Sequence, residues 1–399
     1  MIHKLLSQHI QSFILEHENQ DPFQLSLKYK EVDGIPIRLI SEQISGRQKA
    51  KSKLPEWYST KGILYPPKLS MEQCSSQATA KYKAMLVKGQ AWVDLTGGTG
   101  VDTWALSLSF RKGSYVEQDE NLAELADFNF SALKRQNVEV HNTTAEDYLN
   151  SISEKVDCIY IDPARRDENK NRVFRLEDCT PNIIPLLPQL KKKANQVLIK
   201  ASPMMDIDLA ISALGRVDEV HVVAVENDCK EVLYVISETQ AEDTKLCMVN
   251  FKKGQVERLD STIGEISTSR AGFSQPLKYM YEPNAAILKA GAFAFVSERF
   301  SVKKLHKHTH LYTSNQLLSE FPGRVFIIEQ VLPYSKKEIK RALPNGKANI
   351  STRNFRDDVA TIRKKTGIND GGELYLFGFT DIDEIQRVAL CTKAAVLSD

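Results

Sequence analysis

The chain lacks an apolar run long enough to cross a membrane, for which a helix needs about 20 residues. Residues 1–16 mix charged and apolar side chains, so we expect no signal peptide there. Only six cysteines occur in 399 residues, and their spacing matches neither a pair of zinc ligands nor a disulfide framework. We therefore expect a cytoplasmic protein, kept in a reducing compartment, with no metal and no membrane contact.

Two nucleotide-binding motifs are also missing from the glycine-dense turn at residues 97–100. A P-loop would end in Gly-Lys-Ser or Gly-Lys-Thr, but here the turn is followed by Val101 and Asp102. A dinucleotide-binding turn would carry a third glycine where this chain has Thr103. These absences exclude a P-loop nucleotidase and weaken the case for a hydride-transferring enzyme.

The turn itself is the most informative feature that is present. An apolar strand runs directly into it, and a helical stretch follows. Glycines have no Cβ, so they let peptide N–H groups come close to a ligand at the start of the next helix. The carboxylates of Asp94 and Asp102 bracket the turn, where they would repel a pyrophosphate but accept hydrogen bonds from an amine or a sugar hydroxyl. Taken alone, the turn fits a structural bend equally well.

Polar side chains also follow the later strands, at the edge where open parallel sheets bind ligands. Glu117 closes the second strand about 20 residues after the turn, the spacing of a ribose-binding carboxylate. The fourth strand runs into Asp162-Pro163-Ala164-Arg165. One further helix and strand, then a helix followed by an antiparallel hairpin near residues 219–237, bring the predicted strands to seven.

The glycine turn, Glu117 and Asp162-Pro163 resemble motifs I, II and IV of class I S-adenosylmethionine-dependent methyltransferases, in the same order. The resemblance covers roughly residues 70–240 and implies an α/β, Rossmann-like sheet of seven strands that binds S-adenosylmethionine. It implies that Asp94 holds the methionine moiety, Glu117 the ribose, and Ala145 with Glu146 the adenine edge. The cofactor-binding residues that it implies are Asp94, Thr96, Gly97, Gly98, Gly100, Asp102, Glu117, Gln118, Ala145, Glu146, Asp162 and Pro163.

The segment before the first strand, residues 64–79, leads into a helix rich in hydroxyl and amide groups. In many class I enzymes this segment folds over the methyl donor. Gln73, Ser75 and Thr79 are therefore candidate contacts to the cofactor or the substrate. Helix capping by Ser70 is the structural alternative.

Asp162 and Arg165 are the candidate catalytic residues. Enzymes that methylate exocyclic amino groups usually continue Asp-Pro with proline and an aromatic residue, but here Ala164 and Arg165 follow. The sequence is more similar to the Asp-Pro-Pro-Arg form of some RNA methyltransferases. Asp162 would accept a proton or a hydrogen bond beside the methyl donor, and Arg165 would contact a phosphate or a base. A salt bridge from Arg165 to a nearby acid is the alternative.

Helical spacing of apolar residues over 5–15 and 25–29 predicts an N-terminal helical domain at residues 1–78. The methyltransferase domain takes residues 79–240. Strands near 245–251, 325–331, 373–379 and 386–392, with helices near 284–298 and 357–365, predict a C-terminal α+β, partly ferredoxin-like domain at residues 241–399. This layout resembles bacterial methyltransferases with a THUMP-like domain, which implies structured RNA, either rRNA or tRNA, as substrate and partner.

The net charge is only +2, so RNA binding would depend on local basic patches. Four cations within residues 47–53 precede Trp57, a pattern that suits phosphate contact with base stacking, and a solvated helix face is the structural alternative. Further basic clusters lie at 303–310, 336–341 and 363–365. The role of the alternating His306, His308 and His310 stays open. Two other hypotheses also stay open: methylation of a protein or small molecule, and an RNA adaptor that binds the cofactor without chemistry.

Overall fold

The computed structural model describes residues 2–164, 175–238 and 242–395. Its contacts divide the chain into two units. The first contains Met1–Asp218 and Leu233–Gln240, and the second contains Glu219–Val232 and Ala241–Asp399. Within the described ranges, no helix is both long and apolar enough to cross a lipid bilayer.

The part of the first unit that precedes residue 91 is mostly helical. The predicted helices over 5–15 and 25–29 are confirmed, and Ile37, Ile40 and Ile44 form the buried face of the longest helix in this region. The elements are α1 (Ile2–Leu5), α2 (Gln8–Glu16), α3 (Pro22–Lys28), β1 (Glu31–Val32), β2 (Ile35–Pro36), α4 (Ile37–Lys53), α5 (Pro55–Ser59), α6 (Lys68–Gln73) and α7 (Gln77–Leu86).

Strands and helices then alternate. The elements are β3 (Ala91–Asp94), α8 (Val101–Ser107), β4 (Lys112–Glu117), α9 (Glu120–Ala132), β5 (Val138–Asn142), α10 (Ala145–Ser151), β6 (Val156–Ile161), a 3-10 helix (Leu176–Asp178), α11 (Ile183–Lys193), β7 (Ala194–Ala201), α12 (Ile207–Leu214), β8 (Glu219–Val225) and β9 (Asp228–Ser237). Strands β3 to β9 are the seven that the sequence predicts, and the α/β fold class is confirmed.

The order of the parallel strands in the first unit is β7-β6-β3-β4-β5. The chain moves from β3 to one side through β4 and β5, and then returns to the other side of β3 with β6. The order therefore reverses between β3 and β6, and doubly wound sheets bind ligands at the carboxyl ends of strands beside such a reversal. Asp94 ends β3 and Asp162 follows β6, so both carboxylates lie at this point.

The second unit contains the predicted hairpin turn. Glu226 and Asn227 connect β8 to β9, with φ of 49° and 62°, as in a type I′ turn. Two more strands then follow, β10 (Lys245–Lys252) and β11 (Gln255–Thr262). Strand β10 pairs in parallel with β8 and antiparallel with β11. The sequence predicts β10 but not β11.

The rest of the second unit has the α+β character that the sequence predicts. Its elements are α13 (Ile263–Thr268), β12 (Tyr279–Pro283), α14 (Ala285–Lys289), α15 (Phe293–Arg299), β13 (Lys303–Lys304), β14 (Tyr312–Ser314), β15 (Gly323–Pro333), α16 (Lys336–Ala342), β16 (Asn349–Arg353), α17 (Val359–Thr366), β17 (Leu374–Thr380) and β18 (Gln386–Lys393). The strands form one sheet in the order β13-β14-β12-β15-β18-β17-β16. The single helix predicted over 284–298 is wrong, because Gly291 takes a left-handed φ of 68° and separates α14 from α15.

Candidate functional site

Asp94 lies fully buried at the carboxyl end of β3. Its Oδ1 accepts a hydrogen bond from the backbone N–H of Thr96 at 3.0 Å, and its Oδ2 accepts one from the Thr103 hydroxyl at 2.6 Å. Burial raises the pKa of Asp94 to about 7, since the two hydrogen bonds offset it only in part and the charges of Asp102 and Asp162 add to it. Asp94 would therefore stabilise a cationic group bound beside it, and that group would in turn lower the pKa of Asp94.

The predicted glycine turn connects β3 to α8. Gly98 and Gly100 have φ of 54° and 78°, which L side chains rarely adopt. A Cβ on Gly97 would lie 2.1 Å from the ring of Tyr115, whose hydroxyl donates to the Gly98 carbonyl at 2.7 Å. Tyr115, on β4, thus packs against the turn. The shape of the turn depends on its glycines.

Glu117 lies against this turn at the end of β4. Its Oε2 accepts from the Gly98 N–H at 2.8 Å, and its Oε1 accepts from the Asp119 N–H at 2.9 Å. The Asn142 side chain donates to the Glu117 carbonyl at 2.8 Å and to that of the exposed Gln118 at 3.2 Å. Each carboxylate oxygen can accept a further hydrogen bond, so Glu117 is suited to bind hydroxyl groups.

The predicted adenine-edge residues begin α10. Ala145 is buried and Glu146 is exposed. Thr144 precedes them as the helix cap, and its hydroxyl accepts from the Asp147 N–H at 3.1 Å and donates to the Asp147 carboxylate at 2.8 Å. Thr144 therefore caps the N-terminus of α10.

Asp162 lies beside the end of β3. Its backbone N–H donates to the Thr96 hydroxyl at 2.6 Å, and its carboxylate forms an ion pair with Lys200, a buried residue near the end of β7. Pro163 is buried next to it. Arg165, the other predicted catalytic residue, lies outside the described residues. The two strand ends at the reversal are thus joined through Thr96.

Asp102, on α8, is bound by three side chains from other elements. Ser75 and Tyr160 donate to its Oδ2 at 2.9 and 2.8 Å, and the Nζ of Lys83 lies 3.2 Å from its Oδ1. Burial alone would raise the pKa of Asp102, but Lys83 and Lys200, together with the hydrogen bonds, lower it below its ordinary value. Asp102 therefore carries its charge within an internal network.

The segment before β3 reaches this network through Ser75. Lys83 donates to the Ser75 hydroxyl at 3.0 Å, whereas Gln73 is exposed at the end of α6. Thr79 is buried, and its backbone N–H donates to the Ser76 hydroxyl that caps α7. The alternative of capping by Ser70 is wrong, because α6 begins at Lys68 and already contains that serine.

Among the residues of this site that were not singled out from the sequence are Lys83, Tyr160 and Lys200. For Lys200 a signal exists, since a charged residue follows an apolar strand and lies at its ligand-binding end. Lys83 has no such signal. It is one of several lysines around α7, and only the fold shows that it is 1% exposed.

The basic patch at residues 47–53 is largely occupied by contacts within the protein. Arg47 pairs with Glu18, Lys49 pairs with Glu72, and Lys53 donates to the carbonyls of residues 71 and 72. Trp57, the aromatic residue considered for base stacking, is fully buried. These contacts favour the structural interpretation of this patch.

The alternating histidines of the second unit are held in contacts with neighbouring residues. The Nε2 of His306 lies 2.9 Å from Glu384, the His308 backbone N–H donates to the His306 ring at 3.2 Å, and the His310 ring stacks on Phe293 at 3.5 Å between centroids. Burial lowers the pKa of His310 to about 4, with the charge of Lys304 adding to the effect. His310 is therefore neutral near pH 7.

Comparison with known proteins gives matches to both units. A model described as a ferredoxin-like domain matches residues 279–322, and a THUMP domain-like model matches residues 323–393. The crystal structure of a candidate methyltransferase from Porphyromonas gingivalis W83 has 33% sequence identity and a TM-score of 0.85, and the alignment covers 98% of each chain. The chain belongs to this class I methyltransferase family. The methyltransferase fold and the THUMP-like domain predicted from the sequence are thus confirmed.

Other methyltransferase structures are similar to a part of the chain. An rRNA methylase from Streptococcus thermophilus has 16% identity and a TM-score of 0.31, over 41% of this chain and 95% of that chain. A candidate RNA methyltransferase from Pyrococcus horikoshii has 18% identity and a TM-score of 0.35, over 48% and 99%. These scores are too low to carry a conclusion about function. A comparison with curated protein sequences found no match.

Proposed function

We propose that this methyltransferase-family protein transfers a methyl group from S-adenosylmethionine to structured RNA, either rRNA or tRNA. The observation that carries the proposal is the placement of Asp94 and Asp162 on adjacent strand ends beside the glycine turn. This is the edge of a doubly wound sheet at which ligands bind.

The residues present fit the cofactor. A Cβ built on Gly98 would contact only a backbone oxygen, at 3.8 Å, among the described residues, so the turn leaves open space beside it. Asp94 would bind the cationic methionine end, Glu117 the ribose hydroxyls, and Ala145 with Glu146 the adenine edge. When bound, S-adenosylmethionine supplies an electrophilic methyl group on its sulfonium sulfur.

Asp162 is the residue that we assign to the methyl acceptor. Its carboxylate is held by Lys200 and its backbone by Thr96, so its position is fixed relative to Asp94. It would accept a hydrogen bond or a proton from the attacking group of the substrate. Lys200 would act as a positioning residue. Arg165 follows Asp162 by three positions in the chain and is proposed to contact a phosphate or base of the RNA.

The RNA assignment is supported by a basic surface on α16 and α17, within the match to the THUMP-like model. The two helices lie against each other, and Ile339 and Ile362 anchor them in one core. Their outer faces carry exposed basic residues, and phosphates are bound by such clusters. The α16–α17 surface is defined by Lys336, Lys337, Lys340, Arg341 and Lys364.

Nucleoside mass spectrometry tests the substrate. Ribosomal and transfer RNA from cells with and without the gene would be digested and compared, and the RNA from the deletion cells would be incubated with purified protein and labelled S-adenosylmethionine. We expect one methylated nucleoside to disappear without the gene and to be restored in vitro by the native protein but not by Asp162→Ala. Identical RNA spectra would instead favour a protein or a small molecule as substrate.

A further inference from the structure

Three side chains with metal-binding atoms converge on adjacent strands of the second unit. Strands β8 and β10 are parallel, and His221 lies in register with Cys247. Glu219 precedes His221 by two positions, so both point to the same face of the strand. One potential ligand atom from each of the three side chains lies within 4.8 Å of the other two.

The burial of this cluster suits an ion that enters from solvent. His221 and Cys247 are fully buried, whereas the Glu219 side chain is 39% exposed. The Nε2 of His221 lies 3.0 Å from Oε2 of Glu219. Two ligands would therefore come from the interior of the sheet, and the third would close the site at its surface.

Imidazole, thiolate and carboxylate are the ligand types that zinc takes in proteins, with bonds of about 2.0–2.3 Å. Tetrahedral geometry at these bond lengths separates neighbouring ligand atoms by roughly 3.3–3.8 Å. The three atoms of the cluster thus need a contraction of only about 1 Å to hold the ion. We propose that Glu219, His221 and Cys247 bind one Zn²⁺, with a water molecule as the fourth ligand.

Two cations border the cluster, and both can move aside. The Nη2 of Arg258 donates to the Cys247 sulfur at 3.7 Å, and the Nζ of Lys245 lies 3.9 Å from Glu219. Both cationic side chains are partly exposed. Arg258 also pairs with Asp260 at 2.8 Å, so it can leave the sulfur and keep its carboxylate partner. Asp260 lies opposite Cys247 on β11 and adds a second negative charge near the proposed site.

Metal binding to the full chain tests this proposal without any use of methylation. Protein dialysed against a chelator would be titrated with Zn²⁺ in competition with a chromogenic chelator, and separately with Co²⁺. We expect one equivalent of Zn²⁺ per chain, and a thiolate-to-cobalt charge-transfer band in the near ultraviolet. Failure to bind one equivalent of Zn²⁺, or a cobalt complex without that band, would overturn the proposal.

Variants identify the ligands. Cys247→Ser should abolish the charge-transfer band and weaken zinc binding at least about 10-fold. Glu219→Gln, at the partly exposed position, should weaken zinc binding similarly and keep the band. Cys229→Ser, which alters another cysteine of the same unit, is the matched control and should change neither. If Cys247→Ser does not fold, as judged by circular dichroism, Glu219→Gln decides, and unchanged zinc affinity in that variant would contradict the assignment.

Discussion

Lys200 donates a hydrogen bond to the Asp162 carboxylate between the ends of the neighbouring strands β7 and β6. The lysine is buried, and the aspartate is partly exposed. Burial would raise the pKa of Asp102, but Lys83 and Lys200 together lower it. A single buried cation therefore stabilises two carboxylates next to the glycine turn.

Removing this cation should lower both stability and activity. Lys200→Met keeps most of the side-chain volume but leaves the Asp162 carboxylate without its ion-pair partner. We expect the free energy of unfolding to fall by roughly 1–3 kcal/mol. The loss is limited to this range because Asp162 is partly exposed. Denaturant titration measures the loss. Lys155→Met breaks the more exposed pair with Glu238 and should cost less than about 1 kcal/mol. Equal losses in the two variants would contradict a special role for Lys200.

Gly97→Ala should distort the cofactor turn, because its Cβ would overlap the Tyr115 ring. We expect a loss of about 1–3 kcal/mol in stability and the loss of detectable S-adenosylmethionine binding. Gly62→Ala is the control. Its φ of 81° makes alanine strained, but among the described residues nothing lies close to the added Cβ. The control should keep its cofactor affinity, and a parallel loss in both variants would show that general destabilisation is the cause.

The raised pKa of Asp94 predicts a pH dependence of stability. Between about pH 4 and pH 7 the folded protein keeps a proton on Asp94 that the unfolded chain has released, so this group makes stability fall as pH rises. The slope approaches about 1.4 kcal/mol per pH unit in this window. Asp94→Asn should remove this contribution. Denaturant titrations of both proteins from pH 4.5 to 8 would measure it, and curves of identical shape would contradict the pKa assignment.

Charge reversal should separate RNA binding from cofactor binding. Lys336→Glu with Lys337→Glu alters the α16–α17 surface, and we expect weaker RNA binding and a salt dependence reduced by roughly one to two phosphate contacts. Lys191→Glu with Lys192→Glu makes the same charge change on α11 of the first unit. This control should bind RNA as the native protein does. If both double variants lose RNA affinity equally, net charge rather than the α16–α17 surface governs binding.

The sequence predicts the parts of the site that depend on local pattern. The glycine turn, the acidic strand ends at Glu117 and Asp162, and the hairpin all follow from residues close together in the chain. The partners of Asp102 and Asp162 were missed, because strand order and helix packing alone bring Lys83 and Tyr160 to Asp102 and Lys200 to Asp162. Arg165 stays a prediction.

Contacts between residues that are distant in the chain also explain the other differences between the sequence predictions and the structure. Trp57 follows a run of cations and was considered for base stacking, but its ring packs against Trp104 in the interior. Glu219, His221 and Cys247 have no recognisable spacing, because register between two strands brings them together. Strand β11 was not predicted, since its residues are mostly polar and charged and it is defined by pairing with β10.

Calorimetric titration of the full chain with S-adenosylmethionine tests whether the turn after β3 holds the methyl donor. We expect saturable binding of one molecule to the native protein, and binding at least about 10-fold weaker in Asp94→Asn, which removes the buried negative charge. Absence of binding to the folded native protein, or equal binding by both proteins, would contradict the claim that the turn after β3 holds the methyl donor.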